Sequence, residues 1–85
     1  MQKKQLTIVI PAYNEETRLP PTIKKVLQWA DQTKVFEIEL IIVDDGSVDR
    51  TCDLVREFIN KDSRVRLIEA AHVGAVNAIL AGFKS

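Results

Sequence analysis

Two adjacent carboxylates, Asp44 and Asp45, follow an apolar run from Ile38 to Val43 that only Glu39 interrupts, and Gly46 and Ser47 come directly after them. An earlier apolar run, Leu6 to Ile10, leads into Pro11-Ala12-Tyr13-Asn14-Glu15. A carboxylate accepts hydrogen bonds and donates none, so Asp45 fixed at the end of a strand can read a ring N–H. The imide N–H of uracil and the N1–H of guanine are such donors, and a base without one is refused. Tyr13 offers a flat apolar face on which a base stacks and a hydroxyl that stays wet. Gly46 permits the positive φ of a tight turn, and Ser47 can satisfy an N–H at the start of the helix that follows.

The elements that must position these groups are legible as apolar periodicity. Leu6 to Pro11 reads as a strand buried on both faces, the habit of parallel sheets. Pro20 and Pro21 suit the first turn of a helix whose apolar stripe is Leu19, Ile23, Val26, Leu27 and Ala30, with Lys24, Lys25, Gln28 and Asp31 on the other side. Ile38 to Val43 is a second buried strand. Ser47 or Asp49 then caps a helix that turns Val55, Phe58 and Ile59 inward and Arg56, Glu57 and Lys61 to water. Val65 to Glu69 predicts a third strand, and Gly74 opens a last helical pattern carrying Val76, Ile79, Leu80 and Phe83.

Strand and helix thus alternate three times, and right-handed crossovers convert that order into an α/β fold, a three-layer parallel sheet of form β-α-β-α-β-α. Residues 1–85 read as one unit. Ligands of open parallel sheets bind beyond the carboxyl ends of the strands. The unusual residues gather there, in the loops Pro11 to Glu15, Asp44 to Ser47 and Ala71 to Gly74.

Twelve basic and twelve acidic residues cancel, so no net field draws the chain to nucleic acid or anionic lipid. The single cysteine, Cys52, excludes an internal disulfide and any multi-cysteine metal motif, which fits a reducing compartment, the cytoplasm by default. No run approaches the roughly 18 apolar residues that span a bilayer, and the apolar stretch after Lys3 and Lys4 is too short for a signal peptide.

Both blocks, Ile8-Val9-Ile10-Pro11-Ala12-Tyr13-Asn14-Glu15-Glu16 and Ile42-Val43-Asp44-Asp45-Gly46-Ser47-Val48-Asp49-Arg50-Thr51, with their spacing and their place at strand ends, resemble the opening of family 2 glycosyltransferases of the GT-A fold. Arg18-Leu19-Pro20 is similar to the members that charge dolichyl or another polyprenyl phosphate with a sugar. The resemblance implies that Pro11, Ala12 and Tyr13 line a base pocket, that Glu15 lies near the nucleoside, that Asp45 bonds the base and that Asp44, counted with them at the nucleotide site, chiefly supports the turn. It implies a UDP- or GDP-linked sugar as donor and a loop at Gly74 beside it. In that loop Gly74, Ala78 and Gly82 keep the family spacing, while Ala75 and Val76 replace the usual lysine and glycine. The family's Asp-x-Asp metal motif, catalytic base and acceptor site would lie beyond Ser85. A divalent cation, magnesium or manganese, is therefore expected of the full-length enzyme and not of this chain, and any membrane attachment is expected from further segments. No catalytic residue is assigned, and the short sheet is expected to self-associate through its open edge.

Plainer readings compete at each position. Adjacent aspartates are commonly exposed turn formers, a lone tyrosine is commonly a packing residue, and Glu15 and Glu16 favour a helix dipole. The paired blocks decide for binding at Tyr13 and Asp45. His72 has no designated partner and reads as a surface residue, Cys52 as an inert thiol on a helix, and Trp29 as a residue packed at a helix margin. Asp49 and Asp53, four apart on one helical face, read as solvated charges. A dinucleotide fold or a P-loop needs a glycine-rich first turn, which Pro11 to Glu16 does not supply.

Overall fold

The structure, a computed structural model, describes residues 2–70. Five elements alternate along them: β1 (Lys4–Ala12), α1 (Leu19–Gln32), β2 (Phe36–Asp44), α2 (Thr51–Lys61) and β3 (Val65–Glu69). The strands form one sheet in the order β1-β2-β3, parallel throughout. Leu6 lies opposite Ile38, Ile10 opposite Ile42 and Ala12 opposite Asp44, so the two apolar runs sit side by side.

Each crossover steps the same way across the sheet, and crossovers of one hand that do so leave their helices on one face. Leu19 and Ile23 of α1 and Val55 of α2 accordingly share a core with Leu40 and Ile42 of β2, Ala12 of β1 and Val65 of β3. Ile23, Leu40, Ile42 and Val55 are fully buried. Burial on that scale contributes about 1.5–3 kcal/mol per large aliphatic side chain, so this layer carries most of the hydrophobic stabilisation of the described residues. The opposite face holds a smaller group, Ile41 and Val43 with Val9, Ile68 and Ala70 against them.

The α/β alternation and the parallel sheet are as the sequence requires. Two details differ or fall elsewhere. β1 is an edge strand among the described residues, and Leu6, Ile8, Val9 and Ile10 are half-buried where burial on both faces was expected. Among the described residues β2 alone has strands on both sides, and its stretch Leu40 to Val43 is buried. The last helical pattern, Val76 to Phe83, which would supply the third layer, lies outside the described residues.

Local chemistry sets the helix boundaries. Pro20 sits in the first turn of α1, and the helix closes where the Thr33 N–H donates to the Trp29 carbonyl at 3.0 Å and Thr33 itself is extended. Trp29 is partly exposed at that margin, its ring 6.3 Å from Phe36. α2 has Asp53 in its first turn and Lys61 in its last, both favourable to the helix dipole. The Arg64 guanidinium binds Asp62 at 2.6 Å and Asp31 at 2.9 Å, tying the turn before β3 to the last turns of α1. Among the described residues no helix is long and apolar enough to cross a membrane.

Candidate nucleotide site

The three strands end level with one another: Ala12 is paired with Asp44, and Asp44 with Glu69. The pairing runs on past the assigned ends, because the Asp45 N–H donates to the Ala12 carbonyl at 2.9 Å and the Ala70 N–H donates to the Asp44 carbonyl at 2.8 Å. The loops after β1 and β2 therefore leave the sheet side by side, which brings Tyr13 and Asp45 to one rim. The same ladder explains Pro11. Since Ala12 turns its polar groups toward β2, alternation turns the Pro11 nitrogen to the outer edge, where no N–H is needed.

The turn after β2 is organised by Asp44. Its carboxylate is buried and accepts the Gly46 N–H at 3.1 Å, the Ser47 N–H at 2.9 Å and the Ser47 hydroxyl. Gly46 has φ 83°, the left-handed conformation that glycine adopts without a Cβ clash. Asp44 is thus a turn residue, as expected of it. Alternation then carries the Asp45 side chain to the other face of the sheet, the face of Ile41 and Val43, where it is 6% exposed.

The loop after β1 distributes the remaining expected residues. Tyr13 stands at the rim, 45% exposed. The Ala12 methyl is buried in the helix-side core, so Ala12 offers the rim its carbonyl and not its side chain. Arg18 grips the Glu15 carboxylate through Nε at 2.9 Å and Nη2 at 3.2 Å. Glu15, Arg18 and Pro11 line, with Ile10, Leu19 and Thr22, an open depression of about 130 Å³ beside β1. Gly74 and His72 lie outside the described residues.

Several contacts of the site were not anticipated. Asn14 adopts φ 50°, donates its N–H to the Ser47 hydroxyl oxygen at 2.8 Å and accepts the Val48 N–H on its side-chain oxygen at 2.9 Å. Glu15 donates its N–H to the Thr51 hydroxyl oxygen at 2.9 Å, and Glu16 donates its own to Asp49 at 3.3 Å. Ser47 does not cap α2. Arg50 stands at the N-cap position and makes no side-chain cap bond, while Asp49, two residues before α2, accepts the Thr51 N–H at 2.9 Å and the Thr51 hydroxyl. The available signal was a serine and a threonine flanking a helix start, with an asparagine in the facing turn. Asp49 precedes α2, so it does not share a helical face with Asp53, whose carboxylate meets Arg56 at 3.3 Å.

Desolvation raises the Asp49 carboxyl, but hydrogen bonds from the Thr51 hydroxyl and from the Thr51 and Glu16 amides together hold it below its ordinary 3.8. The Cys52 thiol, half-buried at the start of α2, is pushed up to about 12 by desolvation first and then by the Asp44 and Glu69 carboxylates. It is an inert thiol. Nor do the residues present fit a divalent cation: among the described residues no three His, Cys, Asp or Glu side chains converge, and Asp44 and Asp49 already serve the turns.

Comparison with known proteins gives matches along most of the chain. The family model described as glycosyl transferase family 2 matches residues 7–85. A dolichyl-phosphate beta-glucosyltransferase of Trichomonas vaginalis is 35% identical over 82 residues, covering 91% of this chain and 25% of that protein. The dolichyl-phosphate beta-glucosyltransferase of Mus musculus is 38% identical over 71 residues, 76% of this chain and 22% of its own. An undecaprenyl-phosphate 4-deoxy-4-formamido-L-arabinose transferase of Proteus mirabilis is 36% identical over 81 residues, 93% and 24% of the respective chains. The chain spans about a quarter of the length of these curated relatives.

Proposed function

Since the chain belongs to glycosyl transferase family 2, we propose that it forms the nucleotide-binding part of an enzyme that transfers a sugar from a UDP- or GDP-linked donor to a polyprenyl phosphate. The observation that carries this reading is the Asp45-to-Ala12 hydrogen bond, which sets the acid and the Tyr13 loop on one rim at the carboxyl ends of adjacent parallel strands. In the reading Tyr13 stacks on the base, Asp45 accepts its ring N–H, and Pro11 and Glu15 border the nucleoside. The reading keeps Gly74 as a donor-side residue, as the resemblance implies. The polyprenyl acceptor is supported by the names of the relatives in Trichomonas vaginalis, Mus musculus and Proteus mirabilis. The reading gives the divalent cation to parts of the enzyme other than this chain, and it sets the enzyme at the cytoplasmic face of a membrane.

Titrating UDP and GDP into the isotopically labelled chain while following amide shifts tests it. Shifts centred on Tyr13 and Asp45 are expected for one of the two. Shifts confined to other residues, or none at millimolar nucleotide, would remove the reading.

A second reading has one observation in its favour. Among the described residues the outer edge of β1 faces no strand, so the chain could pair with a second copy there. Pro11 limits that pairing to the stretch before it. Light scattering separates the two readings, because a monomer at micromolar concentration leaves nothing for edge pairing to explain.

A further inference from the structure

Three consecutive amides of the first loop, those of Asn14, Glu15 and Glu16, all donate into the loop that follows β2 or the first residue of α2. Two of them end on hydroxyls, and each hydroxyl has its single proton committed elsewhere. Ser47 donates to Asp44, and Thr51 donates to Asp49. A hydroxyl that gives its proton to a carboxylate has only lone pairs left, so it can meet a neighbouring amide solely as acceptor. The acids therefore fix the polarity of the hydroxyls, and the hydroxyls fix the loop. Asn14 adds a reciprocal bond through its side chain to Val48 and holds a left-handed backbone, which asparagine adopts more readily than most non-glycine residues.

We propose that Asn14, Ser47 and Thr51 are positioning residues for nucleotide recognition, forming two parallel relays from carboxylate to hydroxyl to amide that lock the Tyr13 loop to the Asp45 loop before any ligand arrives. The proposal rests on the nucleotide reading given above. Tyr13 immediately precedes the first clamped amide, and Asp45 lies two residues before Ser47. Motion of one loop relative to the other is what would separate ring from acid. A cleft already held in its binding geometry spares the ligand the ordering of that loop, so its affinity is higher than that of a loose cleft with the same two contacts. Neither Ser47 nor Thr51 need touch the nucleotide for this to hold.

The test uses the 85-residue chain with Ser47→Ala and Thr51→Val, each beside the variant that restores a hydroxyl, Ser47→Thr and Thr51→Ser. Amide exchange in the ligand-free state and titration with UDP and GDP are measured on all five proteins. Removing either hydroxyl should speed exchange of the amide it accepts, Asn14 or Glu15, and weaken nucleotide binding by about three- to tenfold, the scale of one hydrogen bond. The restoring variants should recover both properties. Ser47, at the half-buried rim, keeps the test open if the fully buried Thr51 tolerates no change. Faster exchange with unchanged affinity would overturn the proposal while leaving the nucleotide reading intact. A parent chain that binds neither UDP nor GDP would remove the reading and the proposal together.

Discussion

The amide of Asp45 reaches the carbonyl of Ala12 at 2.9 Å, so β1 and β2 continue to pair one step beyond the last residue of β2. That bond converts two separate sequence blocks into one surface. It also separates the adjacent aspartates by function: Asp44 faces the helices and builds the turn, whereas Asp45 faces away from them.

On the proposed reading Tyr13 gives base binding a face and not a hydroxyl. Tyr13→Ala should weaken UDP or GDP binding by about 1–3 kcal/mol, roughly five- to a hundredfold, and Tyr13→Phe should leave it nearly unchanged. Isothermal calorimetry or shift titration reads both. Equal losses in the two variants would shift the role to the hydroxyl.

Ile23 anchors α1 to the sheet with no exposed surface. Ile23→Ala should lower stability by about 2–5 kcal/mol, a large share of the roughly 4–13 kcal/mol expected for a domain of this size. Val48→Ala, at a position 86% exposed, should change it by less than about 0.5 kcal/mol. Urea unfolding followed by Trp29 fluorescence compares them, since Trp29 is the single tryptophan and packs against Phe36.

The Cys52 thiol, raised from 9.0 to about 12, is almost wholly protonated at pH 8. Its thiolate fraction there is roughly a thousandth of that of an unperturbed cysteine, and the greater intrinsic nucleophilicity of a more basic thiolate recovers only part of this. Alkylation by iodoacetamide at pH 8 should therefore be on the order of tens of times slower than for a free cysteine. Reaction at the free-thiol rate would contradict the burial of the thiol, with the Asp44 and Glu69 carboxylates beside it.

Asp49 is held below 3.8, so its contribution to folding is fully present above that value and is lost as pH falls through the depressed one. Carboxyl-carbon shifts should show Asp49 titrating below 3.8, with the Thr51 amide following the same curve. A midpoint at or above 3.8 would mean that the Asp49–Thr51 bonds are not held in solution.

Much of the fold was legible because apolar periodicity is a local signal. Leu6 to Ile10 and Ile38 to Val43 announced paired strands, and Leu19, Ile23, Val55 and Phe58 announced the helix faces that cover them. Burial of β1 was overestimated, since periodicity cannot tell an edge strand from a central one. Pro11 was the available clue, as a residue without an N–H belongs at an edge or bulge. At the site, the position of Tyr13 and Asp45 on one rim followed from strand order alone. The relays through Ser47 and Thr51 did not, because they join residues 33 and 36 positions apart and depend on which hydroxyl proton is already taken. Single-residue reasoning offered Ser47 or Asp49 as the cap of α2, whereas Arg50 stands at the N-cap position and those two side chains serve the loop before it.

The most direct measurement sets the parent chain and Asp45→Asn against UDP, GDP, CDP and ADP by shift titration. Uracil and guanine present a ring N–H to the acid, whereas the corresponding ring nitrogens of cytosine and adenine are acceptors. UDP or GDP should bind the parent at Tyr13 and Asp45 at least about tenfold more tightly than CDP and ADP, and Asp45→Asn should lose about ten- to a hundredfold for the preferred nucleotide, the scale of a hydrogen bond to a charged group. Equal binding of all four nucleotides, or an Asp45→Asn chain that binds and discriminates like the parent, would contradict the account.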